Sequence, residues 1–274
     1  MSKNIKVAIH GITGRMGRRI ATLLLEKGGK TELVGAIDSP GAPHVGEDIG
    51  KFLGRAKTGF AITDDIKKIA KDIDVIIDFS TPDASTELAK QAPKLSLPTV
   101  VGTTGLSPVQ MKTIEEASKK IPLLISPNMS MGINLLSKLV EQTAKTLPEE
   151  FQIEIIEAHH KFKNDAPSGT AILLAKSAAT GRKLDFDSVK NFSRSGIGKR
   201  KPNEIGIQAI RGGDIVGEHT VFFIGEGERL ELTHRAMSRD TFAAGAIRGA
   251  AWLVGKSPGL YDMLDVLNLK GKTQ

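Results

Sequence analysis

The sequence predicts an α/β protein, with a Rossmann-type doubly wound parallel sheet and a smaller α+β domain that carries a roughly four-stranded open sheet. A strand-like segment leads into a glycine-rich turn near the N-terminus, and buried strand-like runs then alternate with helical segments to about residue 129. After a long periodic helix, several segments alternate with a period of two residues. We therefore predict one domain at 1–129, a second at 130–240, and a return of residues 241–274 to the first.

The composition is ordinary for a globular protein. Of the 274 residues, 40% are hydrophobic and 25% are charged. The absence of cysteine excludes disulfide bonds and thiolate catalysis, and it fits a reducing compartment. No apolar run reaches membrane-spanning length, and the N-terminal residues lack the apolar region of a signal peptide. We therefore expect a cytoplasmic protein with no membrane partner.

A net charge of +7 raises the question of a nucleic-acid partner. The basic residues are scattered apart from a cluster at 198–202, and aromatic residues make up only 4% of the chain. Base-stacking surfaces are therefore poorly supplied, and small anionic ligands explain the charge at least as well. We predict no nucleic-acid partner and expect the triplet 199–201 to lie in a solvated loop.

The first motif is a glycine-rich turn between a strand and a helix. The alternating segment Ile5–His10 runs into Gly11–Gly17, and an amphipathic helix follows. Glycines at such a turn let a dinucleotide pyrophosphate approach the backbone N–H groups at the start of the helix. The spacing is Gly-x-x-Gly-x-x-Gly rather than the commoner G-x-G-x-x-G, so a plain glycine-rich turn stays open as an alternative.

An acidic residue at the end of the next strand supports a dinucleotide site. Leu33–Ile37 runs into Asp38, which lies 21 residues after Gly17. A carboxylate there would accept hydrogen bonds from the ribose hydroxyls of the adenosine and would repel a 2′-phosphate, so it favours NAD over NADP. Ser39 adds no cation for that phosphate, although Arg15 or Lys51 could approach it. An acid that merely faces solvent is the alternative reading.

Further strands of the first domain also end in polar loops. Runs at 74–80, 98–101 and 123–125 read as buried parallel strands, and the last two lead into Gly102–Gly105 and Ser126–Met129. In an open parallel sheet, ligands lie beyond the carboxyl ends of the strands. We therefore expect these loops to line the nicotinamide and its ribose.

The second domain is predicted to be a sheet with one main helix. A periodic helix at 133–147 precedes it, and the strand-like segments are 151–157, 205–210, 217–224 and 228–234. An open sheet has edges that need covering, and self-association is one way to cover them. A last helix from Arg239 to Leu253 is rich in Ala and Gly, which suits tight packing on the first domain.

The densest run of chemistry in the sequence is residues 157–171. Two imidazoles and two ammonium groups fall within five residues, at the end of a predicted strand. Ser168, Gly169 and Thr170 then place hydroxyls and backbone N–H groups at a helix N-terminus, where anions bind. The segment could thus hold a carboxylate and deliver a proton beside it. No cysteine or further histidine completes a metal ligand set, so we predict no metal. A solvated basic loop is the other interpretation.

The residues of this run and of six other blocks resemble the 4-hydroxy-tetrahydrodipicolinate (dihydrodipicolinate) reductase family. The other blocks are 7–17, 78–82, 102–105, 126–134, 211–220 and 232–244. The resemblance implies hydride transfer from NADH or NADPH to a small cyclic dicarboxylate in lysine and diaminopimelate biosynthesis. It also implies a homotetramer built through the sheets of the second domain.

The same resemblance implies roles for individual residues. It casts His159 as the general acid and Lys163 as a proton donor and substrate ligand. The residues that it places on the substrate carboxylates are His160, Lys163, Ser168, Gly169 and Thr170. The residues that it assigns to the cofactor are Gly11, Ile12, Thr13, Gly14, Arg15, Met16, Asp38, Gly102, Thr103, Thr104, Ser126, Pro127, Asn128 and Met129. Histidine suits the acid role because its ordinary pKa lies near neutrality.

Two points stay open at the level of the sequence. Family members that use NADPH well often carry arginine where this chain has Ser39, so we predict that NADH is at least as good as NADPH. Lys161 would share a face with Lys163 in an extended segment, whereas in a bent loop it need not, and the family motif favours Lys163. Among rival functions, an aspartate-semialdehyde dehydrogenase needs a cysteine that is absent, whereas a homoserine dehydrogenase-like enzyme and a non-enzymatic NAD(H)-responsive regulator stay possible.

Overall fold

A computed structural model describes residues 4–27, 29–192 and 194–270. The chain separates into two compact units. The first contains the chain as far as Met129 and again from Asp240 onward, and the second is Ser130–Arg239.

The N-terminal part of the first unit alternates strands and helices. Its elements are β1 (Ile5–His10), α1 (Arg15–Lys27), β2 (Thr31–Ile37), α2 (Ile49–Phe52), β3 (Ile62–Thr63), β4 (Val75–Asp78), α3 (Pro82–Gln91), β5 (Thr99–Val101), α4 (Pro108–Ser118) and β6 (Pro122–Ile125). Short 3₁₀ helices lie at Ile66–Lys68, Ala70–Asp72 and Ala92–Leu95.

The second unit contains two long helices and a second set of strands, after which the chain returns to the first unit. The elements of the second unit are α5 (Met131–Thr146), β7 (Gln152–His159), α6 (Gly169–Arg182), α7 (Phe186–Val189), β8 (Lys190–Asn191), β9 (Ile205–Arg211), β10 (Gly217–Ile224) and β11 (Arg229–Ala236). The returning elements are α8 (Asp240–Leu253), β12 (Gly259–Tyr261) and α9 (Met263–Val266).

The sheet of the first unit has seven parallel strands in the order β12-β6-β5-β4-β1-β2-β3. The buried runs form its centre because a parallel sheet is covered by helices on both faces and its strands are therefore apolar throughout. Local signals set the helix starts: Thr81 caps α3 ahead of Pro82, and Ser107 forms a capping box with Gln110 at α4. The predicted Rossmann-type fold is confirmed.

The sheet of the second unit has five strands in the order β11-β10-β7-β9-β8. β10 pairs antiparallel with both β11 and β7, whereas β7, β9 and β8 are parallel to one another. The sequence indicates about four strands and misses β8, because two residues are too short to show alternation. Helices α5 and α6 pack on one face, over a core that includes Ile155, Ile207 and Phe223.

The basic cluster at 198–202 differs from the prediction of a solvated loop. Arg200 is only 22% exposed, and its guanidinium binds the Glu154 carboxylate and the carbonyl oxygen of Ile153. Arg194 binds the same carboxylate at 2.7 Å. The loop therefore lies on the sheet, because two arginines pair with acids there, while Lys199 and Lys201 face solvent.

Candidate active site

The glycine-rich turn between β1 and α1 leaves no room for side chains at two positions. Gly11 has a φ of +82°, and a Cβ there would lie 2.6 Å from the carbonyl oxygen of Phe79. A Cβ on Gly17 would lie 2.1 Å from the carbonyl oxygen of Gly11. The start of α1 is thus in direct contact with the turn, which is the backbone arrangement that suits a bound pyrophosphate.

Asp38 lies at the end of β2 and is held by the turn. Thr13 donates its backbone N–H (2.9 Å) and its hydroxyl (2.7 Å) to Oδ2, and Ser39 donates its backbone N–H (2.8 Å) to Oδ1. Partial burial by itself raises the pKa of Asp38, but these hydrogen bonds outweigh burial and lower the pKa below its ordinary value. Asp38 is therefore an anion in a fixed position next to the glycine turn.

A cavity of about 400 Å³ opens beside the turn and Asp38. Four of the residues predicted for the cofactor line it, namely Gly11, Thr13, Gly14 and Asp38. The charged residues in its lining are Asp38, Asp64 and Glu87, with no lysine or arginine among the described residues of the wall. Its size is that of a small-molecule site, and the bare glycine backbone fits a pyridine dinucleotide.

A second carboxylate, Asp78, ties together the carboxyl ends of β1, β4 and β5. It is fully buried and accepts hydrogen bonds from Ser80 (2.5 Å), Thr103 (3.0 Å) and Ser85, and its Oδ1 lies 2.8 Å from His10 Nδ1. Thr103 also accepts the backbone N–H of Ser80 at 3.0 Å. The cluster fixes the floor of the cavity, which His10 and Ser80 line. The sequence prediction did not single out this buried acid.

The other residues predicted for the cofactor lie outside the walls of this cavity. Ile12 and Met129 are buried apolar residues, and a Cβ on Gly102 would lie 2.2 Å from the Phe79 ring. The remaining ones range from buried to exposed: Arg15, Met16, Thr103, Thr104, Ser126, Pro127 and Asn128. Ser126 donates its hydroxyl to the carbonyl of Asn128 at 2.8 Å, which closes the loop after β6.

In the second unit, His159 and Glu157 project from the same face of β7. The two residues are one pleat apart, and Oε2 of the fully buried Glu157 lies 2.6 Å from His159 Nδ1. Arg211 donates to both oxygens of Glu157, at 2.8 and 2.7 Å, and the Ser168 N–H donates at 2.9 Å. Burial alone raises the pKa of Glu157, but these hydrogen bonds lower it to about 2. The carboxylate is therefore ionised.

His219, on β10, packs beside this group. Its ring centroid lies 5.1 Å from that of His159, and its Nε2 lies 3.0 Å from the Ser168 hydroxyl. Burial, with a smaller contribution from the nearby His159, lowers the pKa of His219 to about 3. His219 is accordingly a neutral imidazole in this cluster, whereas the half-buried His159 is 12% exposed.

The two lysines of the loop have different environments. Lys163 Nζ lies 2.8 Å from Asp165 Oδ1, with 21% of the lysine side chain exposed. This ion pair lowers the pKa of Asp165. Lys161 is exposed and lies over the Phe162 ring at 5.1 Å. The loop is therefore bent, and the question that the sequence left open resolves in favour of two separate positions for the ammonium groups.

The start of α6 completes this part of the second unit. Ser168 is buried as the N-cap of α6, and its hydroxyl accepts the Ala171 N–H at 3.1 Å. Because its N–H binds Glu157 and its hydroxyl binds Ala171 and His219, Ser168 is engaged within the chain. Gly169 is exposed and Thr170 half-buried in the first helical turn, whose dipole favours anions.

Glu157 and Arg211 belong to this site but were given no role at the sequence level. The alternation of β7 places Glu157 on the same inward face as Ile153 and Ile155. A charged residue on a buried face is the sequence feature that indicates a role for Glu157. Arg211 could not be found this way because it lies on β9, which neighbours β7 in the sheet but follows Glu157 by 54 residues in the chain. Among the described residues, no three potential metal ligands lie together, and no helix is long and apolar enough to cross a membrane.

Comparisons with known proteins agree with one another over nearly all of the chain. Family models described as dihydrodipicolinate reductase, N-terminus and C-terminus, match residues 5–129 and 132–267. The 4-hydroxy-tetrahydrodipicolinate reductases of Trichlorobacter lovleyi and Geotalea daltonii are each 46% identical over 97% of this chain and 100% of their own. The solved structure of a dipicolinate-bound dihydrodipicolinate reductase from Paenisporosarcina sp. TG-14 has a TM-score of 0.76 at 25% identity, covering 96% of this chain and 98% of that one.

Proposed function

Because the chain belongs to the dihydrodipicolinate reductase family, we propose that it reduces 4-hydroxy-tetrahydrodipicolinate to tetrahydrodipicolinate with NAD(P)H, in diaminopimelate and lysine biosynthesis. The observation that carries the proposal is the grouping of His159, Lys163 and the start of α6 within one short segment. Family membership favours this reaction over that of a homoserine dehydrogenase-like enzyme.

The first unit has the features that a pyridine dinucleotide requires. Gly11 and Gly14 leave backbone exposed for the pyrophosphate, and the anionic Asp38 offers acceptors for ribose hydroxyls. When bound, the nicotinamide supplies the hydride. We still predict that Gly102–Thr104 and Ser126–Met129 line the nicotinamide end of the cofactor.

His159 is the proposed proton donor. Reduction of a ring carbon leaves electron density that must take up a proton, and a histidine can carry that proton near neutral pH. The adjacent Glu157 carboxylate lies 2.6 Å from Nδ1 of His159 and so holds the ring in place. General acid catalysis of this kind contributes roughly 10²–10⁴-fold in rate.

Lys163, His160 and the first turn of α6 are proposed to hold the substrate carboxylates. Lys163 is already paired with Asp165, so a carboxylate would either replace Asp165 or share the ammonium. Gly169 and Thr170 supply the helix N-terminus. The Paenisporosarcina relative, whose structure contains dipicolinate, supports a cyclic dicarboxylate as the ligand of this family. Ser168 is proposed to act by holding the helix start rather than by direct contact.

We further propose that NADH serves at least as well as NADPH. The cavity at Asp38 is lined by three carboxylates and by no described lysine or arginine, so a 2′-phosphate would meet negative charge without a cation to pair with it. Arg15 and Lys51 are the two cations that could change this preference, and both are exposed and lie outside the walls of the cavity.

A homotetramer in the cytoplasm is the remaining part of the proposal. The face of the second sheet that α5 and α6 leave uncovered exposes apolar side chains, including Ile156 and Ile210, which are 37% and 51% exposed. Burying these side chains against other copies would remove them from water. The absence of cysteine fits the reducing environment of the cytoplasm.

The test is a coupled assay that generates the substrate by condensing pyruvate with aspartate semialdehyde and follows NADH absorbance. His159→Gln and Lys163→Ala should each lower turnover at least 100-fold while NADH binding is kept. Lys161→Ala is the matched control, because this exposed ammonium lies two residues from Lys163 and sits over the Phe162 ring. Wild-type turnover in both the His159 and Lys163 variants would refute the assignment.

A further inference from the structure

We propose that Glu157 and Gly217 are positioning residues for His159: the carboxylate fixes which ring nitrogen keeps its proton, and the missing side chain leaves space at the other nitrogen. The inference rests on the proposed function, in which His159 is the proton donor. Neither residue belongs to the groups expected to touch the substrate or the cofactor.

The hydrogen bonds of Glu157 determine the tautomer of His159. The carboxylate receives four hydrogen bonds, from His159, from two nitrogens of Arg211 and from the Ser168 N–H. An ionised carboxylate can only accept, so Nδ1 of His159 carries a proton whether the ring is neutral or charged. Nε2 is therefore the nitrogen that gains and loses the catalytic proton.

Arg211 keeps Glu157 in this position. Its two terminal nitrogens bind the two carboxylate oxygens side by side, which fixes the plane of the carboxylate. Arg211 also donates to the carbonyl oxygen of Asp165 at 2.7 Å. The same guanidinium thus connects the partner of His159 with the loop that carries Lys163.

Gly217 borders the other side of the imidazole ring. A Cβ at this position would lie 3.0 Å from His159 Nε2 and 3.4 Å from Cδ2, closer than a side chain normally packs. The φ of Gly217 lies outside the left-handed region, so alanine fits the backbone conformation there. A methyl group would consequently crowd Nε2 without straining the strand.

Other charged and titratable groups lie around His159. Arg211 approaches from the end of β9, the neutral His219 from β10, and Lys163 with Asp165 from the loop. Glu157 is the one among them that binds the ring directly. A single substitution of Glu157 therefore removes the one charge that is hydrogen-bonded to the ring.

The experiment compares Glu157→Gln, Gly217→Ala and His159→Gln in the full-length protein. Single-turnover rates are measured across pH at saturating NADH, and ¹⁵N shifts of the histidine rings report the tautomer. For E157Q we expect a loss of about 100-fold in rate, NADH affinity unchanged, and a mixed tautomer.

Gly217→Ala should lower the rate about tenfold while the ring keeps the Nδ1–H tautomer, since a tight contact displaces the reacting nitrogen but leaves Glu157 in place. Gly212→Ala is its matched control, because a Cβ at Gly212 meets nothing within 4 Å. We expect the control to behave as wild type.

The outcomes separate the two proposals. If H159Q is inactive while E157Q keeps the wild-type rate and tautomer, the positioning role is refuted and the proposed function stands. If H159Q keeps full turnover, the acid assignment fails, and the ring shifts alone still decide whether Glu157 sets the tautomer. If E157Q does not fold, G217A carries the test: a wild-type rate in that variant refutes the inference.

Discussion

Acid should weaken the folded state through the loss of one carboxylate, Glu157. Hydrogen bonding in the folded protein lowers the pKa of this group from an ordinary value of 4.5 to about 2. Because the folded pKa is depressed, the stabilisation is fully present above pH 4.5 and is lost as the pH falls towards 2. For these two values, the linkage relation gives a loss of about 2 kcal/mol between pH 7 and pH 3.

The E157Q variant isolates this contribution because glutamine does not titrate. The difference in unfolding free energy between wild type and E157Q should be about 2 kcal/mol smaller at pH 3 than at pH 7. Urea unfolding followed by circular dichroism measures it. Glu157 lies in the second unit. Intrinsic fluorescence follows the unfolding of the first unit instead, because the single tryptophan, Trp252, and the single tyrosine, Tyr261, both lie there.

Glu226→Gln is the control, since it removes an exposed carboxylate from the same unit. The reasoning is refuted if the difference between wild type and E157Q stays constant from pH 7 to pH 3. A constant difference would mean that the unfolded chain holds the Glu157 proton as weakly as the folded protein does.

Three further changes test the first unit. Gly17→Ala places a Cβ 2.1 Å from the Gly11 carbonyl oxygen, so it should lower the free energy of unfolding by about 1–3 kcal/mol. It should also weaken NADH binding, measured by titration calorimetry. The control is Gly198→Ala, where a Cβ meets nothing within 4 Å, and it should change neither quantity. Ser39→Arg adds a cation that can pair with a 2′-phosphate. A charged hydrogen bond of about 1.5 kcal/mol should raise the ratio of kcat/KM for NADPH over that for NADH about tenfold. Ser39→Gln is the uncharged control, and an equal ratio in the two variants would contradict the prediction. Asp78→Asn should lower the Tm by about 5 °C in calorimetry, and an unchanged Tm would show that the buried cluster is not stabilising.

Local signals in the sequence were sufficient for the parts of the site that lie within one strand-turn-helix unit. The glycine turn and Asp38 follow from short-range patterns, and the structure places both at one cavity. The Asp78 cluster joins residues up to 68 positions apart, so no local pattern could assemble it. The same holds for Arg211, which meets Glu157 from 54 residues away.

Loop geometry and very short strands were beyond the sequence for a different reason. Whether Lys161 and Lys163 share a face depends on the bend of a loop that has no periodicity. Strands β8 and β12, of two and three residues, exist because neighbouring strands supply hydrogen-bonding partners. A serine at the start of a helix predicts a contact with the substrate carboxylates. In the structure Ser168 is a buried helix cap instead, held by Glu157 and His219, neither of which is its neighbour in the sequence.

The pairing of β12 with β6 has a consequence for how the protein is made. The sheet of the first unit is completed by residues 259–261, which leave the ribosome after the entire second unit, 130–239, has been synthesised. The inserted unit is contiguous and can form during translation, while the edge of β6 waits for the C-terminal strand. During that interval the unpaired edge is open to other chains.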